Sequence, residues 1–194
     1  VFQRRSSASV DFYLGWLDYK NGFGNKNQDH WLGNKYIHSL SNQKTYELRI
    51  DVRDSASSSY YAVYSTFSIN NEADKYRLSV GSHSGNTGYD ALSGSNNKQF
   101  STKDRDNDGW SSYDCAERHR GAWWFYDYYD CRRYYSVGNI ILLLIVGLTV
   151  PVIVTFAIIF PMAATTARFA LILISTETTT ALLEERTCSG IVIV

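Results

Sequence analysis

In the stretch STKDRDNDGWSSYDC, residues 101–115, aspartates stand at alternate positions, Asp104, Asp106 and Asp108, and Gly109 follows at once. Calcium is a hard cation that takes about six to eight oxygens, so a loop binds it by turning carboxylates and carbonyls around one point. Alternate aspartates and a glycine can do that. The helix-loop-helix calcium pattern closes on a glutamate at its twelfth position, and counting from Asp104 that position is Cys115. The flanks NNKQF and AERHRGAWW carry no sustained helical period of apolar residues. Two readings of the stretch remain: an oxygen-rich metal loop of another kind, and a solvated acidic turn of the sort Asp-Asn-Gly clusters form. No nucleophile, base and orienting group stand together in sequence, so an enzyme is not expected.

The rest of the composition narrows the partners. All five Trp, all fifteen Tyr and all four His precede residue 139, and only Arg168, Arg186, Glu177, Glu184 and Glu185 carry charge beyond it. The charge-rich part is nearly balanced and its arginines are dispersed, which argues against nucleic acid as a partner, since that binding needs a basic face. Of the three cysteines, Cys115, Cys131 and Cys188, none forms a CxxC or a Cys/His pair with zinc-finger spacing. The chain opens on VFQRR, which reads as the middle of a strand and gives the expectation of a fragment at that end.

Several elements must position the acidic loop. SVDFYLGWLDYK predicts a helix over about residues 10–20, with Ser9 as N-cap and Phe12, Trp16 and Tyr19 on one face, ended by Gly22 and Gly24. NKYIHSL, from Asn34, predicts a second short helix with Tyr36, Ile37 and Leu40 sharing a face. TYELRIDVRD alternates strictly and predicts a strand with Tyr46, Leu48, Ile50 and Val52 inward. YYAVYSTFSI follows as a second strand, with Tyr61, Val63, Phe67 and Ile69 inward, and YRLSV as a third, with Tyr76, Leu78 and Val80 inward. Short links make these an antiparallel sheet. Residues 81–97, rich in Gly, Ser and Asn, read as loop, and the stretch beyond shows no regular period. Such an irregular region usually needs staples, and a bound cation with a disulfide would serve.

The blocks VFQRR, VDFYLGWLDYKNGFGN, WLGN, YELRIDV, ADKYRLSVGSHSGN, FSTKDRDND, CAE and GAWW, in this order, closely resemble the fibrinogen C-terminal domain, the fibrinogen-related domain of ficolins, tachylectin-type lectins, tenascins and angiopoietins. The resemblance runs from Val1 to about Cys131. It implies an α+β fold, a twisted antiparallel sheet with short flanking helices and a loop-rich calcium-binding subdomain at about residues 98–135. It implies Ca2+ held by the carboxylates of Asp106 and Asp108 and by backbone carbonyls of Trp110 and Ser112, in a loop one residue longer here than the common pattern. It also implies a Cys115–Cys131 disulfide, and hence an oxidising compartment, with three more residues between the cysteines than is usual. In the lectin members an acetyl group sits in an aromatic pocket beside the calcium loop. The wall residue four positions after the first cysteine maps onto His119, and Arg132 stands where a histidine usually follows the second. The downstream asparagine- and glycine-rich stretch, the remaining pocket aromatics and the closing C-terminal strand have no counterpart in this sequence. The plainer readings set beside these are Trp123 and Trp124 as core anchors, His30 and His38 as surface or helix-end residues, His83 as a loop residue without a metal partner, and the Tyr-rich run at 126–135 as a subdomain boundary.

Residues 140–160 are 21 uncharged, mostly apolar positions, long enough as a helix to span roughly 30 Å of hydrocarbon. The segment 140–161 is therefore expected as a hydrophobic, transmembrane-type helix kinked at Pro151, followed by a tail, 162–194, of no assigned role. Arg132 and Arg133 just before it would place that end in the cytoplasm, at odds with an oxidised calcium domain, so a second reading takes the tail as foreign sequence replacing the end of the domain. Residues 1–139 are then a partial fibrinogen C-terminal domain. The expected function is an extracellular, non-enzymatic, calcium-dependent lectin of innate-immune type for acetylated sugars such as N-acetylglucosamine. The alternative is a matrix adhesion or receptor-ligand module for protein partners. Oligomerisation would come from segments upstream, and a membrane contact only from 140–161.

Overall fold

The computed structural model describes residues 1–7, 9–53 and 57–126 together with the backbone of the strand at 153–159. Among the described residues nine strands run in the order β1 (Gln3–Arg5), β2 (Phe23–Gly24), β3 (His30–Trp31), β4 (Glu47–Arg53), β5 (Ser59–Tyr64), β6 (Phe67–Ile69), β7 (Leu78–Val80), β8 (His83–Gly85) and β9 (Ile153–Ile159). The described residues also form the short helices α1 (Trp16–Asn21), α2 (Asn34–Ser41) and α3 (Cys115–His119).

Seven strands form one antiparallel sheet, ordered β2-β3-β1-β9-β4-β5-β8, and β6 pairs with β7 in a separate two-stranded sheet. One row of register partners crosses the large sheet from edge to edge, Phe23, Trp31, Gln3, Phe156, Ile50, Ala62 and Gly85. β4 alternates buried Leu48, Ile50 and Val52 with half-buried Glu47, Arg49, Asp51 and Arg53, as its sequence predicts. The main aromatic cluster lies under this face. Trp31 stacks on Phe100, Phe100 meets Trp124 edge-on, and Tyr19 leans on both Trp31 and Phe100.

β9 corrects the reading of the apolar tail. The segment predicted as a membrane helix over 140–161 is, at Ile153–Ile159, the central strand of the sheet, with three register pairs to β1 and seven to β4. IVTFAII is dense in β-branched residues, which suit a pleated surface better than a helix. Pro151 precedes the strand in sequence and so leaves its ladder uninterrupted. Among the described residues, no helix is long and apolar enough to cross a membrane. The sheet thus has a closing strand, although the sequence carries no recognisable counterpart of one. The rest of the expected segment, residues 140–152 and 160–161, and the tail 162–194 lie outside the described residues.

Other expectations shift in detail. α1 begins at Trp16, six residues later than predicted, because residues 10–15 are not helical and Gly15, not Ser9, is the N-cap. α2 buries Asn34, Ile37 and Ser41, while Tyr36 and Leu40 face solvent. β5 buries Ala62 and Tyr64 and leaves Tyr60 and Tyr61 exposed, one residue out of phase with the prediction, because the chain breaks at Ser65–Thr66 before Phe67 and Ile69 turn inward in β6. Tyr76, Leu78 and Val80 are buried as predicted, but in the small sheet or beside it. The loop at 81–97 contains β8, which places His83 on a strand. His30 is a buried strand residue and not a surface one.

Candidate calcium loop and ligand site

The acidic loop grows from a buried base. Ser101 and Trp123 exchange backbone hydrogen bonds at 2.9 and 3.2 Å, and both residues are buried. Trp124 beside them donates its indole N–H to the Tyr76 carbonyl at 2.7 Å. The two tryptophans are core anchors, as the plainer reading holds. Thr102 and Arg105 then close a tight turn through paired backbone bonds of 3.0 and 2.9 Å, and the Asn107 amide donates to the Phe100 carbonyl at 2.8 Å. Asn107 also donates its backbone N–H to the Ser101 hydroxyl, so it braces the loop from inside.

The three alternate aspartates have three different partners. Asp104 accepts the backbone N–H of Trp16 at 2.8 Å and the Thr102 hydroxyl at 2.7 Å, and so caps the first turn of α1 from 88 residues away. A side chain at Gly15 would begin 2.8 Å from an Asp104 oxygen, which is why a glycine precedes α1. Burial alone would raise the Asp104 pKa, but the bonds from Thr102 and Trp16, helped by the Arg105 charge, hold it below the usual carboxylate range. Asp104 is thus engaged in structure, and sequence reasoning missed that role because its partner is remote in the chain.

Asp106 is the member whose carboxyl shifts the opposite way. Burial pushes its carboxyl above the usual range, and the like charges of Asp108 and Asp114 push the same way, against the hydrogen bond it accepts from the Asp108 N–H at 3.1 Å. Asp108 spreads its two oxygens over the loop, Oδ1 accepting from Trp110 N–H at 2.8 Å and Oδ2 from Cys115 N–H at 2.9 Å. Tyr113 N–H reaches the Trp110 carbonyl at 3.2 Å, and Ser112 is exposed at the same turn. Asp114 caps α3 by accepting the Glu117 N–H at 3.0 Å. The Asp-x-x-Glu spacing at 114–117 is a capping signature legible in the sequence.

The donor set suits calcium. The turn is rich in oxygen groups, the carboxylates of Asp106 and Asp108 first among them, and the like charge that adds to burial in raising Asp106 is what a divalent cation would relieve. Among the described residues, no group of three or more His, Cys, Asp or Glu side chains is placed to hold a metal. The side chains alone therefore supply two neighbouring carboxylates, Asp106 and Asp108, and the Trp110 carbonyl already accepts from Tyr113 N–H.

Of the residues expected to line an acetyl pocket, only one lies among the described residues. His119 ends α3 half-buried, with its ring stacked on Phe125 at 5.7 Å and 16°. Cys115 is fully buried at the start of α3. Cys131 and Arg132 lie outside the described residues, as does the Tyr-rich run beyond exposed Tyr126.

A largely antiparallel sheet with short helices, carrying an aromatic-anchored loop region at its flank, puts the chain in the α+β class. The family model described as fibrinogen beta and gamma chains, C-terminal globular domain, matches residues 1–141, and the chain belongs to that family. It is similar to ryncolin-4 of Cerberus rynchops, with 52% identity over 126 residues, 64% of this chain and 36% of that protein. The chain thus spans about a third of the curated relative it matches. Among solved structures it is similar to the fibrinogen-like globe domain of human ANGPTL6, with a TM-score of 0.71, 30% identity, and 84% of this chain and 78% of that one covered. It is also similar to lamprey fibrin D-dimer complexed with the peptide Gly-His-Arg-Pro-amide, at a TM-score of 0.68 and 26% identity over 86% of this chain and 62% of that one.

Proposed function

We propose that this domain is an extracellular, non-enzymatic recognition module of the lectin type, which uses calcium to order a site for acetylated sugars such as N-acetylglucosamine. The observation that carries the proposal is the Asp106–Asp108 turn: two carboxylates at close quarters, with Asp106 raised by burial and by like charge, on a loop tied to the core through Ser101 and Trp123. Calcium would be held by Asp106 and Asp108 with the carbonyls of Trp110 and Ser112, and would supply fixed positive charge that rigidifies the loop next to α3. His119, half-buried at the end of α3, would form one wall of the acetyl pocket, and Arg132, next to the second cysteine in sequence, would contribute to the same site. A Cys115–Cys131 disulfide would staple the far side of the loop. Resemblance to ryncolin-4 supports the lectin-like class. Retention of the calcium-loaded chain on immobilised N-acetylglucosamine, with release by chelator, tests the proposal; a folded, calcium-loaded chain that passes straight through overturns it.

The second reading is an adhesion or receptor-ligand module in which calcium orders a protein-binding loop. It draws support from the lamprey relative, whose structure is a complex with a short peptide. Binding to a tetrapeptide amide of that sequence, uncompeted by N-acetylglucosamine, would favour it over the lectin reading.

A further inference from the structure

The turn between Asp108 and α3 carries an aromatic pair that the metal loop itself does not use. Trp110 packs against the core cluster, and the Tyr113 ring lies 4.6 Å from it at 45°. Tyr113 nevertheless remains 55% exposed, so its ring is displayed and not buried. The turn that displays it is fixed at both ends, by Asp108 accepting from Trp110 and from Cys115, and in the middle by the Tyr113 N–H to the Trp110 carbonyl. Arg118, one turn into α3, sets its guanidinium 6.0 Å from the Tyr113 ring centre. A rigid aromatic face with a neighbouring guanidinium is the composition of a binding hot spot, because a ring with few free torsions offers contact area at small entropic cost.

Chemistry selects the ligand class. One face of a hexopyranose presents polarised C–H groups that pack on an aromatic ring, while its edge presents hydroxyls that accept from a guanidinium. The exposed serines at 111 and 112 add hydroxyls to the same turn. We propose that Tyr113, backed by Trp110 and flanked by Arg118, stacks a second sugar ring next to the one held at the calcium loop, so that the site reads at least two residues of a glycan. This rests on the lectin reading, since it places Tyr113 beside a sugar already bound.

The experiment compares N-acetylglucosamine with its β-linked dimer by calorimetric titration of the calcium-loaded full chain, for the unaltered protein, Tyr113→Ala and Tyr113→Phe. The unaltered chain should prefer the dimer by about tenfold, the size that a stacked ring contributes. Tyr113→Ala should erase that preference while leaving monomer affinity within about twofold, and Tyr113→Phe should keep it. A dimer preference that survives Tyr113→Ala, or an unaltered chain that binds monomer and dimer alike, overturns the stacking site and leaves the lectin reading standing. An unaltered chain that binds neither overturns both. Because Tyr113 is more than half exposed and gives up only its contacts with Trp110 and Arg118, the variants should still melt cooperatively within a few degrees of the unaltered chain, which separates a lost contact from a lost fold.

Discussion

Replacing Asp104 separates a structural aspartate from the neighbours proposed to hold calcium. Asp104 accepts the Trp16 N–H at 2.8 Å, and that N–H belongs to the first turn of α1, where no intrahelical acceptor exists. Asp104→Ala removes a charge-assisted cap and leaves the donor to water; a cap of this kind is worth about 0.5–2 kcal/mol, and since the carboxylate is itself reachable by solvent the expected loss is about 1–2 kcal/mol. In a chain of this size that lowers the melting temperature by about 2–8 °C. Asp104→Asn keeps an acceptor and should lose less. The pH dependence has a definite sign. The folded carboxyl titrates below its unfolded value, so its contribution is present above the unfolded pKa and fades as pH falls through the folded one. The gap between the unaltered chain and Asp104→Asn should therefore shrink on acidification. Calcium titration supplies the second arm: Asp104→Asn should hold calcium as the unaltered chain does, whereas Asp106→Asn should not. If Asp104→Asn loses calcium affinity as severely as Asp106→Asn while its melting temperature stays put, the capping assignment is refuted.

Three other perturbations follow from the same geometry. Ala157→Pro removes a donor from the central strand β9, opposite Arg49 of β4, and should lower the urea midpoint of unfolding; an unchanged midpoint would remove β9 from the sheet. In the calcium-free chain Asp106 titrates above its unfolded value, so its contribution favours folding at low pH and is lost as pH rises through the folded pKa; Asp106→Asn should flatten that dependence in melts from pH 4 to 7. Cys115 should appear in one tryptic peptide pair with Cys131 under non-reducing mass spectrometry, and reduction should destabilise the fold by about 3 kcal/mol; a free Cys131 thiol would contradict the pairing.

What could be read from the sequence was whatever local periodicity or composition controls. β4 alternates because one of its faces is buried, and Leu48, Ile50 and Val52 say so without help. The acidic turn is legible because alternate aspartates have few uses. By contrast, the start of α1 depends on Asp104, and no window of local sequence contains both partners. The phase of β5 depends on a break at Ser65–Thr66, where the chain leaves one sheet for another, and a single alternating template laid across that break misplaces Tyr61 and Val63. The apolar tail is the largest departure, since length and lack of charge favour a membrane helix there while β-branching and the open place between β1 and β4 favour a strand. Short apolar runs do not distinguish these outcomes by hydrophobicity alone.

The central claim is that calcium at the Asp106–Asp108 turn creates the sugar site. It is tested most directly by titrating N-acetylglucosamine into the full chain three times: calcium-loaded, chelator-stripped, and as calcium-supplemented Asp106→Asn. Saturable heat in the first titration and none in the other two is the predicted result. Equal binding in all three, or no binding by a calcium-loaded, fully folded chain, would contradict the account.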